Sequence, residues 1–259
     1  MSSAMARPCT EHCTNSCCST GIKNLSVAAH RRNAETHRGT LVENCPLFSG
    51  VLPCEYAGIC SDARIKEFTR GEMLYMEGDS VRQVLLLTSG IVKITQLGPG
   101  GTEAILRLGV PGDFLDSASL LAAGRHCATA QAFRACQVLV WDAPAFKAVV
   151  ERFPVLYQNM VQVLGDHLME LEERFREVAT ERVGSRVARQ LLRLQEQIGR
   201  PVHGVIEIGL SRHELAQMTG TTLFTVSRLL SAWESCGIVS ARRESVTICD
   251  VESLRAISE

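Results

Sequence analysis

The stretch that decides the C-terminal fold reads Ser211-Arg-His-Glu-Leu-Ala-Gln-Met-Thr-Gly220-Thr-Thr-Leu-Phe-Thr-Val-Ser-Arg228-Leu-Leu-Ser-Ala-Trp233. It predicts two short helices joined by a tight turn at Gly220. Ser211 and Glu214 have the spacing of a capping box, which starts the first helix. Thr222 is a residue type that commonly caps a helix, so we expect the second helix to begin directly after it.

The second of these helices has two different faces. Its apolar residues recur at i, i+3, i+4 and i+7 and predict one buried stripe: Val226, Leu229, Leu230 and Trp233. The opposite face carries Leu223, Phe224, Ser227 and Arg228. A helix-turn-helix presents such a face, behind a turn that contains glycine, to the major groove of DNA. The alternative is an ordinary helical hairpin.

The composition is that of a globular protein without a global charge bias. The chain has 259 residues, of which 46% are apolar, and a formal net charge of −1. This length is typical of one or two domains. Because the net charge is close to zero, any surface that binds nucleic acid must be confined to one part of the protein. Around the two helices the charged residues show a modest basic excess: Arg212, Arg228, Arg242 and Arg243 against Glu214 and Glu234.

Targeting signals are not evident in the sequence. No apolar run approaches the ~18 residues of a membrane span, and the N-terminus lacks the apolar core of a signal peptide. We therefore expect no membrane partner, a cytoplasmic location and mostly reduced thiols. That expectation draws attention to the eleven cysteines, of which seven fall in the first sixty residues: Cys9, Cys13, Cys17, Cys18, Cys45, Cys54 and Cys60.

The chain divides into four predicted regions. Residues 1–40 are polar and weakly periodic and predict a flexible, cysteine-rich arm that needs a metal or a partner for order. Residues 41–150 contain short apolar or β-branched runs separated by glycine turns, for instance Gln83–Thr88 and Ile91–Gln96 on either side of Gly90. This pattern is typical of a compact antiparallel barrel or roll. Residues 151–180 predict a long helix, and residues 181–259 predict the DNA-binding domain.

The long helix carries a regular apolar seam. Its apolar residues alternate at spacings of four and three: Tyr157, Val161, Leu164, Leu168, Leu171, Phe175 and Val178. A heptad seam of this kind favours a parallel two-chain coiled coil, and hence a homodimer. The alternative is a helix that packs its seam on the roll of its own chain.

The region after the long helix predicts a winged helix-turn-helix. Glu181–Ile198 has an amphipathic helical pattern and Val205–Ile208 reads as a strand. Two further runs, Ile238–Arg242 and Ser245–Cys249, predict a hairpin behind the second motif helix. Arginines on such a wing can reach phosphates, which position a protein on DNA without reading its sequence.

This order of parts resembles the Crp/Fnr family of bacterial transcription regulators. The segments that carry the resemblance are Gly71–Asp79, Leu87–Gly90, Pro111–Phe114, the long helix and Thr225–Leu230, and the resemblance as a whole covers about 45–250. The resemblance implies an α+β fold with an N-terminal cyclic-nucleotide-binding-like β-roll (jelly roll), a long dimerisation helix and a C-terminal winged helix-turn-helix. It also implies a homodimer that regulates transcription at palindromic double-stranded DNA sites, in contact with RNA polymerase, and no enzymatic activity.

The resemblance also locates the base-reading residues. Relatives often carry a Glu four residues before the last Arg of the recognition helix, where this chain has Phe224. Glu accepts a hydrogen bond from cytosine, whereas Phe offers apolar contact, for instance with a thymine methyl; alternatively, Phe224 packs within the motif. We expect Arg228 to read a guanine. The predicted DNA-binding residues are Arg212, Thr222, Leu223, Phe224, Thr225, Ser227, Arg228, Arg242 and Arg243.

Cyclic AMP is not expected to be the effector. Members of the family that bind it carry a Gly-Glu pair, whose Glu holds a ribose hydroxyl, and further on an Arg-Ser pair, whose Arg holds the phosphate. At these positions the chain has Asp116-Ser117 and Cys127-Ala128. Without that Arg, a buried phosphate would lack its counter-charge, which costs several kcal/mol.

The cysteines leave three explanations of sensing open. The oxygen-sensing branch of the family holds a [4Fe–4S] cluster on N-terminal cysteines and one cysteine of the roll, and thiolates suit such a cluster. The candidate ligands are Cys9, Cys13, Cys17 and Cys45, with Cys18, Cys127 and Cys136 as alternatives. The second explanation is direct thiol chemistry through a disulfide or zinc. The third is a small-molecule ligand in the roll, or no ligand.

Other classes of protein find little support. The sequence contains no phosphate-binding glycine loop, nucleophile elbow or helical His-Glu-x-x-His motif. A ligand-binding module without DNA activity would require the stretch from Ser211 to Trp233 to serve packing alone.

Overall fold

A computed structural model of the chain describes residues 45–115 and 124–259. Within these ranges it has the predicted α+β architecture: a β-roll, a long helix, and a C-terminal unit with helices and a four-stranded sheet. The predicted arm, residues 1–40, lies outside the described residues. So do several residues considered above, namely Cys9, Cys13, Cys17, Cys18, Asp116 and Ser117.

The β-roll is preceded by a 3-10 helix at Pro46–Phe48 and by helix α1 at Pro53–Ile59, neither of which the sequence pattern predicts. Its described strands are β1 (Arg64–Phe68), β2 (Met73–Tyr75), β3 (Gln83–Leu97), β4 (Glu103–Gly109), β5 (Phe114–Leu115) and β6 (Thr129–Asp142). The sheet order is β1-β6-β3-β4, and β2 pairs with β6 while β5 pairs with β3. These pairings are antiparallel, as the turn spacing predicts.

Strand β3 shows why the roll buries both faces of its sheet. Side chains alternate across a strand, so neighbouring residues enter different cores. Leu85 and Leu87 pack in the interior of the roll, whereas Val84 and Leu86 pack on its outer face beside Trp141. All five side chains are nearly inaccessible to solvent. Helices cover the outer face, so the sheet does not show the polar-out pattern of an exposed roll.

Gly90 is not the turn that the sequence pattern indicates. It lies inside β3, which continues through the two shorter strands predicted on either side. Its φ is +86°, and an added Cβ would lie 2.2 Å from the carbonyl oxygen of Ala135. The β3–β6 pairing shifts register here. Glycine is required because the backbones of two paired strands approach too closely for any side chain.

Substituting Gly90 with Ala is expected to destabilise the roll severely. The backbone strain costs ~1–3 kcal/mol, and forcing β6 away costs a further ~1–3 kcal/mol. Gly78→Ala is the matched control, because Gly78 also has φ of +86° but an added Cβ meets nothing within 4 Å. Urea denaturation should show the larger loss for Gly90→Ala. Equal losses would show that the contact with Ala135 is unimportant.

Two helices follow the roll, and only the second was anticipated. Helix α2 (Ala143–Arg152) places Phe146 in the outer core. Helix α3 (Pro154–Thr180) agrees with the long helix predicted within residues 151–180. Its first turns bury Leu156 and Met160 in the same core. The later turns of α3 leave the roll and expose most of their apolar residues.

The C-terminal unit has the order of a winged helix-turn-helix. Its elements are α4 (Val183–Ile198), β7 (Arg200–Val202), β8 (Val205–Ile208), α5 (Arg212–Thr219), α6 (Leu223–Ser235), β9 (Val239–Ala241), β10 (Val246–Ile248) and α7 (Val251–Ser258). The sheet order is β7-β8-β10-β9, so the predicted hairpin β9–β10 is present. Asp250 caps α7 by accepting a hydrogen bond from the Ser253 amide at 3.0 Å.

This C-terminal unit packs against the roll of its own chain. Ile105 and Leu108 of β4 belong to the same buried cluster as Leu215 of α5. At the edge of that contact the Gln217 amide donates to the Glu103 carboxylate at 2.9 Å. The two units therefore share an apolar interface. Within the described part of the chain, no helix combines the length and apolar character needed to span a bilayer.

Candidate nucleic-acid interface

Helices α5 and α6 form the predicted helix-turn-helix. Ser211 accepts a hydrogen bond from the Glu214 amide at 3.2 Å, and Glu214 accepts one in return from the Ser211 amide at 2.7 Å. Gly220 ends α5 in the left-handed conformation, with φ of +61°. Thr222 then caps α6 through the Thr225 amide at 3.2 Å. Each local signal in the sequence therefore has its expected structural role.

The two faces of α6 differ as the sequence pattern indicates. Val226, Leu230 and Trp233 are buried in the core of the C-terminal unit. Leu223 is 48% exposed and Phe224 is 76% exposed, so Phe224 does not pack within the motif. Arg228 is exposed, and Ser227 and Thr225 are half-buried beside it. The outward face thus offers one guanidinium, one large aromatic ring and two hydroxyl groups.

The flanking arginines have different environments. Arg242 and Arg243 are exposed on the turn between β9 and β10. Arg212, in contrast, is half-buried and its guanidinium donates to the Ala241 carbonyl oxygen at 3.4 Å. Arg212 therefore ties α5 to the wing, whereas the two wing arginines are available to solvent.

The seam of α3 is largely uncovered in the single chain. Tyr157, Val161, Leu168, Leu171, Phe175 and Val178 are each between 51% and 75% exposed. Leu164 is half-buried against the roll. An isolated row of exposed apolar side chains this long is typical of an interface with another chain.

The end of α3 is joined to α4 by buried charges. The Glu177 carboxylate is 5% exposed and contacts the guanidinium groups of Arg189 and Arg193 on α4. Arg189 also pairs with Glu181 at 2.6 Å, directly before α4 begins. These ion pairs tie the end of α3 to α4, the first helix of the C-terminal unit.

A cavity of about 290 Å³ lies between the roll and α3. The roll contributes Tyr75, Leu106 and Cys127, and α3 contributes Leu164 and His167. The sequence pattern did not single out Tyr75, Leu106 or His167 for this cavity. They come from strands and a helix far apart in the chain, so only the fold brings them together.

The charged groups of this cavity already have partners. Arg107 pairs with Asp113 at 3.2 Å, and Arg174 pairs with Glu170 at 2.6 Å. Burial, together with the positive charge of Arg107, lowers the pKa of His167, so its imidazole is neutral at neutral pH. Cys127, the residue that the family resemblance aligns with the phosphate-binding Arg of cyclic-nucleotide binders, lines this cavity. Both arginines in the described lining of the cavity therefore have acidic partners, and neither is free to bind a phosphate.

The cysteines within the described residues do not form a metal site. No group of three or more His, Cys, Asp or Glu side chains in residues 45–115 and 124–259 has the arrangement to hold a metal ion. Cys136 points into the inner core of the roll, while Leu139 packs in the outer one, as their spacing along a strand predicts. Burial raises the pKa of the Cys136 thiol.

Cys45, the predicted ligand nearest the roll, is buried and protonated. It is 3% exposed, and its thiol donates to the Gly112 carbonyl oxygen at 3.0 Å. Burial raises the pKa of this thiol to about 11. To become the thiolate that binds iron, Cys45 would have to lose this proton and its contact with Gly112.

Alkylation should separate Cys45 from the exposed thiols. At pH 8, iodoacetamide is expected to modify Cys54 and leave Cys45 unmodified in the native protein, because the thiolate is the reactive form and Cys45 stays protonated until about pH 11. Mass spectrometry of tryptic peptides measures both sites, and modification of Cys45 in urea is the control. Equal rates in the native state would contradict the buried thiol.

Two family models match the chain in the order the fold predicts. The cyclic nucleotide-binding domain matches residues 65–153, and the Crp-like helix-turn-helix domain matches residues 185–257. The chain belongs to the Crp/Fnr family of transcriptional regulators. Its class is therefore that of a DNA-binding transcriptional regulator whose β-roll is of the cyclic nucleotide-binding type.

Individual relatives agree with this assignment. The chain is 29% identical to the cyclic AMP receptor protein of Thermus thermophilus, with 84% of this chain and 98% of the relative covered. It is 26% identical to the CRP-like cAMP-activated global transcriptional regulator of Mycobacterium tuberculosis, over 80% and 94% of the two chains. A CooA mutant of Carboxydothermus hydrogenoformans superposes with a TM-score of 0.65 at 27% identity, covering 79% of this chain and 92% of that one.

Proposed function

We propose that the protein is a homodimeric, effector-controlled regulator that recognises a palindromic promoter site in the cytoplasm and acts through contact with RNA polymerase. One observation carries the proposal: the exposed seam of α3 leads directly, through the Glu177 contacts, to a DNA-binding unit with an exposed recognition face. Pairing two seams places two α6 helices on one side of the dimer. Two-fold symmetry then requires a two-fold symmetric DNA site.

The outward face of α6 supplies the chemistry of sequence recognition. Arg228 donates two parallel hydrogen bonds to the O6 and N7 atoms of a guanine, and Phe224 contacts a thymine methyl. Ser227 and the threonines contact phosphates or base edges. Arg242 and Arg243 bind phosphates from the wing, which fixes the register of α6 in the groove.

The same surfaces suggest how the effector acts. The cavity between the roll and α3 borders the seam, since Leu164 and Leu171 belong to both. A ligand in this cavity changes the packing of α3 on the roll and shifts the population of dimers whose α6 helices are ~34 Å apart. Because the cavity walls are mostly apolar and their arginines are already paired, we favour an uncharged, apolar small molecule over cyclic AMP.

The [4Fe–4S] cluster, another of the three explanations of sensing, has weaker support. Cys45 is buried and donates its proton to a backbone carbonyl oxygen, and the remaining N-terminal candidates lie outside the described residues. Iron and sulfide analysis of protein purified without oxygen decides the question. Stoichiometric iron that is lost in air, together with lost DNA affinity, would replace the small-molecule proposal by redox sensing.

Selection from a random duplex library tests the regulatory function. The purified protein is expected to enrich a palindrome whose half-site centres are one helical turn apart, about 10 base pairs. Ultracentrifugation of the protein on the selected duplex should give two chains per duplex. Enrichment of asymmetric sequences, or of none, would overturn the proposal.

The uncharged dye N-phenyl-1-naphthylamine tests the cavity. Its fluorescence is expected to rise on binding, and Leu106→Trp, which fills the cavity, should abolish most of that rise. Leu97→Trp is the control, because Leu97 is 66% exposed and lies elsewhere on the roll. Displacement of the dye by cyclic AMP would show that the cavity accepts a nucleotide and would overturn the ligand class proposed here.

A further inference from the structure

A second concave site, the interdomain cleft, lies between the roll and the C-terminal unit. It has a volume of about 480 Å³, which is within the range of ~300–1,000 Å³ typical of small-molecule sites. Five arginines line it: Arg70, Arg134, Arg200, Arg242 and Arg243. They come from the β1–β2 turn and β6 of the roll, and from β7 and the wing of the C-terminal unit. The cleft exists only because the two units pack together.

The carboxylates of the interdomain cleft do not neutralise these arginines. Glu244 pairs with Arg70 at 2.9 Å. Glu214 is engaged in the capping box, where it accepts from the Ser211 amide and hydroxyl. Glu207 lines the cleft without an ion pair among the residues described. The cleft thus retains an excess of positive charge.

Arg134 is the most constrained of the five. It is half-buried, and its guanidinium donates only to the Gly209 carbonyl oxygen, at 3.4 Å, within residues 45–115 and 124–259. Burial lowers the pKa of Arg134, and the neighbouring Arg200 and Arg70 lower it further. The fold therefore holds a partly desolvated cation beside two like charges, an arrangement that an anion would stabilise.

We propose that the interdomain cleft binds a small anion that bears phosphate groups, such as a pyrophosphate or a phosphorylated metabolite. The planar guanidinium matches the geometry of phosphate oxygens and can donate to two of them at once. Several arginines around one concave space also concentrate negative charge there. A duplex backbone is a weaker candidate, because its convex surface meets projecting arginines, whereas Arg134 is recessed between two units.

The consequence for regulation rests on the proposed function. Arg242 and Arg243 line the interdomain cleft and are also the wing residues assigned to DNA phosphates. A bound anion would occupy both side chains and hold the wing against the roll. The anion and the duplex are therefore expected to compete.

Calorimetric titration of the full chain with inorganic pyrophosphate, without DNA, tests binding itself. Arg134→Gln and Arg200→Gln should each weaken the affinity about tenfold or more, since each removes a charge-assisted contact. Arg255→Gln on α7 removes an exposed arginine outside the cleft and should leave the affinity unchanged. Orthophosphate at matched ionic strength should bind more weakly than pyrophosphate.

Gly209→Ala provides a variant that keeps every charge. An added Cβ at Gly209 would lie 2.6 Å from a guanidinium nitrogen of Arg134, so that flexible group must move while the backbone need not. Weakened pyrophosphate binding with an unchanged melting temperature would support a built site. Equal affinity in all variants, or no binding by the unmodified protein, would overturn the proposal. The proposal would also be overturned if the protein does not bind pyrophosphate but its Arg134→Gln variant binds DNA more weakly, because the cleft would then bind the duplex.

Discussion

Leu168→Glu is expected to convert the dimer into single chains and to abolish specific DNA binding. Leu168 is 56% exposed in the single chain and sits near the middle of the α3 seam. Each dimer loses two buried leucines, at ~1.5–3 kcal/mol each, and gains two like charges facing each other. A single chain contacts only one half-site and cannot supply the affinity of two, so loss of the dimer also weakens DNA binding. Sedimentation equilibrium and gel shift measure the two losses.

Met169→Glu is the matched control for this substitution. Met169 is 64% exposed on the same helix, one residue later, and lies off the heptad seam. The same change in size and charge should leave the dimer and its DNA affinity intact. If both variants dissociate, α3 associates through a surface broader than the seam. If neither dissociates, α3 does not form the proposed coiled coil.

Arg228→Ala is expected to cost ~1–3 kcal/mol of discrimination at one base position in each half-site. The exposed guanidinium is the only cation on the outward face of the described helix α6, so no neighbouring side chain on that helix replaces it. Library selection with the variant should show the guanine preference relaxed at that position and retained elsewhere. An unchanged selected sequence would remove Arg228 from the role of base reader.

Arg243→Ala should behave differently because a wing arginine contacts phosphate. We expect binding to weaken uniformly across sequences, with the slope of log affinity against log salt reduced by about 1. The selected palindrome should stay the same. Loss of preference at a particular base in this variant would show that the wing reads sequence.

Local signals in the sequence predicted the helix-turn-helix closely. The Ser211–Glu214 capping box, the left-handed Gly220 and the Thr222 cap each act over three or four residues, so their chemistry is complete in the sequence itself. The period of α3 predicted its length to within a residue at its end. Helices α1 and α2 were missed, since they have only seven and ten residues and their buried side chains gain meaning only against the outer face of the roll.

The sequence could not predict the environments of the cysteines. Cys45, Cys127 and Cys136 were reasonable ligand candidates from their spacing and from the family resemblance. Their environments differ completely, because Cys45 is buried against a backbone carbonyl, Cys136 faces the inner core and Cys127 borders a cavity. Burial decides the protonation of a thiol, and burial is a property of the fold.

The sequence by itself determined which helix carries the exposed face proposed to read DNA, which helix carries the apolar seam and where each begins, because caps, turns and periodicity are local. The tertiary structure alone decided that Gly90 lies within a strand, that His167 borders a cavity with Tyr75, and that arginines of the roll meet those of the wing. These features depend on contacts between segments distant in the chain, where packing and desolvation set the chemistry.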